Sequence, residues 1–406
     1  MNEKLLEYSD LIVRVGVNLQ KGQTLVISCP VNCAYFAKML AEKAYDAGAR
    51  EVVVRWHDDD LARMKYLRAD DAVFDETPRW TIDFYNDYAG IGAALINVSA
   101  SDPENLKGVS PDRIQRASRS ASTQLKDFYG KMMANDFPWC IASVPSEKWA
   151  RKVFPGLGTD ESMDKLWDAI FTATRVNGNA VGEWRAKVKR ADELSGKLNS
   201  LDFAKLHYKN SLGTDLWVEL PEMHKWSGGG EKTKSGVTFV ANMPTEEIFT
   251  LPKRGGVNGV LYSSMPLSLN GNMVRDIKFT FENGKIIEAE AKEGLEYLLK
   301  ELDMDEGARY LGEIALVPYH SPISEMKIIF YNTLFDENAS CHFAFGKAYP
   351  VFKDVDERSE EELKARGMND SLTHVDFMVG TADLSITGMT RDGKEIPVFV
   401  NGDFAL

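Results

Sequence analysis

Thr24-Leu25-Val26-Ile27-Ser28, then a helically spaced run from Ala34 to Ala47 stopped by Gly48, then Glu51-Val52-Val53-Val54-Arg55-Trp56: this alternation decides the architecture of the first half of the chain. A short apolar run bounded by turn residues reads as a buried strand, and Gly after the last helically spaced residue reads as a helix stop. The alternation continues outward. Ala93 to Val98 and Trp139-Cys140-Ile141-Ala142-Ser143-Val144 are the third and fourth strands, and Asp60 to Tyr66 and Thr77 to Tyr88 are helical. Ser110 to Met133 fits one long helix, with Ser110 as cap and Pro111 at its first position. Strands separated by helices require right-handed crossovers, and these give a mostly parallel sheet with helices on both faces.

The texture changes near residue 200. Asp160 to about Leu198 reads as helix, whereas the chain from Leu206-His207-Tyr208 onward favours strands and turns. Leu216-Trp217-Val218-Glu219-Leu220 is a strand, and Asn283-Gly284 between Phe279-Thr280-Phe281 and Lys285-Ile286-Ile287 is a hairpin signal. Ser227-Gly228-Gly229-Gly230 lacks the Lys-Ser/Thr of a phosphate loop and reads as a flexible turn. A length of 406 residues exceeds one ordinary core. The expectation is an α/β protein: residues 1–200 as a mostly parallel sheet with flanking helices, and residues 201–406 as a strand-rich α+β domain carrying the metal-binding catalytic site.

Composition narrows the function. Charged residues make up 27% and hydrophobic residues 44%, with a net charge of −13. That balance disfavours nucleic acid and anionic membrane, and suits a cationic ligand such as a peptide ammonium group. Cys29, Cys33, Cys140 and Cys341 are too sparse for a disulfide framework. Met1-Asn2-Glu3-Lys4 leads into an amphipathic helix, and no apolar run approaches the roughly 18–20 residues that span a bilayer. The expected location is the cytoplasm.

Chemistry concentrates near the C-terminus. The chain has six histidines. His374 stands two residues before Asp376 in an apolar run, so both project from one side of a strand. His342 follows Cys341, which faces the other way on a strand. Glu313 enters the apolar run Ile314-Ala315-Leu316-Val317, and a buried carboxylate needs a partner. Glu246 or Glu247 supplies a further acid. Two or three carboxylates with two imidazoles suit a pair of divalent ions such as zinc, cobalt or manganese, and point to a metal-dependent hydrolase.

Other clusters read differently. His57-Asp58-Asp59-Asp60 lies between a strand and a helix, where Asp60 serves as a cap. Glu222-Met223-His224 follows Pro221 and runs into the glycines, as a mobile turn would. His207 and His320 have no close acidic partner at strand or helix spacing.

The segments N-M-P-T-E-E-I-F-T (242–250), L-G-E-I-A-L-V-P (311–318), S-P-I-S (321–324), N-T-L-F-D-E-N-A-S-C-H-F-A-F-G-K-A-Y (332–349) and H-V-D-F-M-V-G (374–380) resemble the aminopeptidase T family of metallo-aminopeptidases, which includes aminopeptidases S and II. The resemblance implies two metals held by Glu247, Glu313, His342, His374 and Asp376. It gives the other acid of the pair, Glu246, a role as general base or supporting group, and makes Tyr349 an active-site tyrosine. It also implies peptide substrates with a free N-terminus and a homodimer whose paired clefts enclose the site. Two departures stand out: Ala382-Asp383-Leu384-Ser385 is less acidic than in relatives, and Phe404 replaces an expected Trp. The rival readings are another metallo-amidase or dipeptidase, and a non-catalytic α/β binding protein with a relic site.

Overall fold

The computed structural model describes residues 1–100, 102–269 and 271–406. The chain forms two compact units. One comprises Met1–Arg190, Gly229–Thr245 and Ile328–Leu334, and the other Ala191–Gly228, Glu246–Lys327 and Phe335–Leu406.

In the first unit the strand Thr24–Pro30 is buried along almost its whole length. It lies between Glu51–His57 and Ala94–Ser99, with Val26 opposite Val53 on one side and Leu95 on the other. Trp139–Ser143 and the short strand Asn242–Met243 complete a five-stranded sheet, and every neighbouring pair is parallel. Continuous apolar character fits a strand with neighbours on both sides and helices above and below. The valines of Glu51–His57 are only half-buried because that strand is the sheet edge. The helix Ala34–Asp46 buries Phe36, Ala37, Leu40 and Ala44, one face at 3.6-residue spacing. Phe36 stacks on Tyr8, whose ring also meets Trp167 and Phe171 edge-on. Tyr8 then donates its hydroxyl to Ser143 O at 3.1 Å, which ties this helical layer to the sheet.

Three helical expectations need correction. The cap before Asp59–Arg68 is Asp58, not Asp60; its carboxylate accepts the Leu61 N–H. The stretch from Ser110 to Met133 is two helices, Pro111–Gln124 and Lys126–Met133. The break at Leu125 lets Leu125 and Phe128 both reach a cluster with Phe137, Trp139 and Phe239. The run from Asp160 to Leu198 is likewise split, into Thr159–Ala173 and Ala180–Leu201. Gly178 turns the chain between them at φ +105°, and the Glu7 carboxylate accepts the N–H groups of Gly178 and Ala180. A carboxylate there satisfies orphan donors at a helix N-terminus.

The second unit is built on two antiparallel sheets, one of eight strands and one of five. The predicted hairpin is present in the larger: Lys278–Glu282 and Lys285–Glu290 pair around Asn283-Gly284, both at positive φ. Gly284 is required by contact as well as by φ, because a Cβ there would fall 1.7 Å from Arg254 O. The smaller sheet runs, in spatial order, His374–Met378, His342–Gly346, Leu311–Leu316, Ile248–Thr250 and Ser227–Gly228. Its last member corrects the reading of 227–230 as a simple turn, since Ser227 and Gly228 pair with Phe249 and Ile248. Gly228 comes so close that a Cβ would lie 2.7 Å from Glu247 O. One face of this sheet buries Ile248, Ile314, Phe343, Phe345 and Phe377 in the core of the unit.

Candidate metal centre

The register of the small sheet gathers the other set of side chains on its opposite face. Phe249 lies across from Ala315, Ala315 from His342, Glu313 from Ala344, Ala344 from Asp376, and Gly346 from His374. Directly paired residues on antiparallel strands share a face. Acids and imidazoles therefore alternate with Ala315, Ala344 and Gly346, whose small size leaves room above the sheet. Gly312 is the extra residue of a β-bulge that brings Glu313 into line with Ala344.

Each imidazole is oriented by a main-chain carbonyl. His342 donates its Nδ1–H to Glu337 O at 2.9 Å, with Ser340 O 3.2 Å away. His374 donates its Nδ1–H to Lys347 O at 2.7 Å. Committing Nδ1 in this way aims Nε2 at the carboxylates, the arrangement that presents a lone pair to a metal once Nε2 is deprotonated. His342 Nε2 lies 3.1 Å from Glu247 Oε2 and 3.8 Å from Glu313 Oε1. His374 Nε2 lies 3.3 Å from Asp376 Oδ1 and 3.6 Å from Glu313 Oε2. Two triads result, Glu247–Glu313–His342 and Glu313–His374–Asp376, each with its donor atoms within 4.8 Å of one another. Glu313 belongs to both and turns one oxygen toward each imidazole.

The electrostatics are those of a cluster waiting for positive charge. Burial alone would lower the His374 pKa, but Asp376 and Glu313 outweigh it and hold the imidazole at about 10. His342 is likewise raised well above its ordinary value, with Glu247 and Glu313 overcoming the effect of burial. Burial pushes Glu313 up, and its acidic neighbours Asp376 and Glu247 add to that. Asp376 would also rise on burial, yet His374 draws it below its usual range. In the cation-free protein the two imidazolium groups thus supply the positive charge that divalent ions would bring.

Three strands, with the residue just before Ile248–Thr250, bring together Glu247, Glu313, His342, His374 and Asp376. Glu246 is in neither triad; its main-chain N–H donates to Asn338 Oδ1 at 2.6 Å. Tyr349 is half-buried, its ring edge-on to His374 at 5.5 Å and to Phe249 at 5.8 Å between centroids. One residue escaped sequence reasoning. Glu337 is buried, and its carboxyl is pushed well up, first by burial and then by Asp376 and Glu247. It lies in a 3₁₀ turn, so no strand periodicity marks it; its only signal is an acid five residues before His342.

The remaining histidines lie outside both triads. His224 is fully buried, donating Nδ1–H to Pro221 O and bridging Phe352, which corrects the reading of that segment as a mobile turn. His207 and His320 do have acidic partners, supplied by the fold: Asp215 at 2.6 Å across the strand pair, and Asp403 from the chain's end. Asp383 accepts from Ser211 N and Thr381 Oγ1, and Phe404 packs on Phe399.

The donor set is carboxylate oxygen and imidazole nitrogen without thiolate, which fits zinc, cobalt or manganese. Comparison with known proteins agrees on the class. The profile of the thermophilic metalloprotease (M29) family matches residues 1–404. This chain belongs to the M29 family. As an M29 metalloprotease it is a peptide hydrolase. Over 406 residues the M29 chain is 44% identical to aminopeptidase AmpS of Bacillus subtilis, covering 100% of this chain and 99% of the relative. It is 43% identical to aminopeptidase 2 of Geobacillus stearothermophilus, covering 99% and 98%. The solved structure of wild-type AmpT from Thermus thermophilus superposes over 100% of both chains with a TM-score of 0.92 at 39% identity. A 2,5-dihydroxypyridine dioxygenase from Pseudomonas putida KT2440 shares the fold alone, with a TM-score of 0.51 at 12% identity. No helix among the described residues is long and apolar enough to cross a membrane.

Proposed function

We propose that this M29 chain is an aminopeptidase that removes N-terminal residues from peptides with two divalent metal ions, zinc, cobalt or manganese. The observation that carries the reading is Glu313, one carboxylate set between two imidazoles whose Nδ1 positions are already committed to carbonyls. Glu247, Glu313 and His342 would hold one ion, and Glu313, His374 and Asp376 the other. The buried Glu337 carboxyl, which feels Asp376 and Glu247, would serve the same site once a cation favours its ionised form. When bound, the cations supply Lewis acidity that makes water nucleophilic near neutral pH and polarises the scissile carbonyl. Glu246 takes the proton of the attacking water and passes it to the leaving amine, as a positioned carboxylate does in general base and acid catalysis. Tyr349 donates its hydroxyl to the oxygen on which charge develops. The acidic surroundings hold the substrate's free ammonium group, and the chain's net charge of −13 favours its approach.

The same reading includes a homodimer and a cytoplasmic location; four free, buried cysteines support the latter. The test couples metal quantification to hydrolysis of aminoacyl chromogenic substrates and their N-blocked counterparts. Two ions per chain, chelator-sensitive turnover and no cleavage of blocked substrates are expected. Equal cleavage of blocked substrates would favour an amidase, and fewer than about one ion per chain a relic site.

A further inference from the structure

We propose that Asn369 is a positioning residue for His374, acting through the carbonyl of Lys347 and sustaining only one of the two ion sites. The inference rests on the reading of His374 as a ligand. Asn369 is 1% exposed and precedes the His374 strand. Its Nδ2 donates to Gly307 O at 2.8 Å and to Gly346 O at 2.6 Å, and its main-chain carbonyl accepts the Ala348 N–H at 3.0 Å. It thus grips the chain on both sides of Lys347.

Lys347 is the residue that aims His374. Its N–H donates to Thr373 O at 2.7 Å, and its carbonyl takes the His374 Nδ1–H at 2.7 Å. The surroundings close in around it. Gly346 has φ +103°, and a Cβ there would fall 2.2 Å from Thr373 O. A Cβ on Gly312 would fall 2.5 Å from both Gly346 O and Lys347 O. The two glycines allow the close approach, and the Asn369 amide holds it in one orientation. Asn369 Oδ1 is buried with no hydrogen-bond partner. An amide kept for its two donated bonds at the expense of its acceptor is there for what those donors hold. His342 takes its orientation from Glu337 O and Ser340 O instead, so nothing in this clamp bears on it.

The predicted asymmetry separates positioning from bulk stability. Metal affinities of the full-length protein are measured by competition with a chromophoric chelator, using zinc and then manganese as probe. His374→Ala and His342→Ala serve as references that identify each ion. Asn369→Ala should weaken the ion lost in His374→Ala by roughly 10–100-fold, the range for partners that orient ligands. The ion lost in His342→Ala should stay within about two-fold. Asn369→Ser, a milder change, keeps the proposal testable if the alanine variant does not fold. In the metal-free protein its His374 Nδ1–H NMR signal, held by Lys347 O in the wild type, should exchange with solvent faster, while the His342 Nδ1–H signal is unchanged. Equal weakening of both ions, or wild-type affinities with unchanged His374 Nδ1–H exchange, would overturn the role of Asn369. If His374→Ala itself keeps both ions, the ligand assignment fails instead.

Discussion

Glu313 stands 3.6 Å from His374 through Oε2, while its other oxygen is committed toward a second imidazole. A carboxylate shared in this way couples two triads that otherwise have no residue in common. Glu313→Ala should therefore cost both ions, whereas Glu247→Ala and Asp376→Ala should each remove or weaken one. Elemental analysis after dialysis against metal-free buffer checks the difference. Activity should fall by at least about 100-fold in all three, since loss of even an orienting partner costs 10–100-fold.

Metal uptake should expel protons. His374 holds its proton up to about pH 10 in the cation-free protein, and His342 is raised in the same direction. A metal needs these imidazoles neutral, so at pH 7 binding displaces protons and apparent affinity rises with pH. Titration calorimetry in two buffers of different ionisation enthalpy measures the release. A buffer-independent heat would show that the imidazoles were already neutral.

Tyr349→Phe keeps the ring that packs edge-on against His374 and Phe249 and removes only the hydroxyl. If that hydroxyl stabilises developing negative charge, kcat should drop by roughly 10²–10³-fold with little change in KM. Unchanged kcat would leave Tyr349 as a packing residue alone.

His224 should make the protein sensitive to acid. Burial holds its pKa at about 4, against an ordinary 6.5. The unfolded chain therefore binds this proton first. The contribution is intact above pH 6.5 and is lost as pH falls toward 4, up to about 3 kcal/mol. Urea unfolding between pH 7 and 4, compared with His224→Gln, reads the slope; the variant should lose part of it.

The parallel sheet was legible because Thr24–Ser28 and Glu51–Trp56 carry their periodicity within a few residues. The His374–Asp376 pair was legible for the same reason, as two positions apart on a strand fixes a common face. Interruptions were not. Leu125 breaks a helix to pack with Phe137 and Trp139, and that demand comes from residues distant in sequence. Ser227-Gly228 looks like a turn until Glu247 and Ile248 are beside it. Glu337 is invisible to spacing because a 3₁₀ turn, not a strand, delivers it to the site. His207 and His320 gained acidic partners only when strand pairing and the chain's end arrived. The Glu246–Glu247 pair illustrates the limit: adjacent identical residues differ only in which way an extended backbone turns them, and Glu247 is the one facing His342.

The phenylalanines behind the His342 and His374 strands give the chemistry a thermal character. The side chains of the two triads and the rings that hold the unit together are alternate residues of the same strands, so neither set can be loosened while the other stays in place. Heating should leave turnover undiminished until the whole body melts, with no temperature range in which an inert but folded enzyme accumulates.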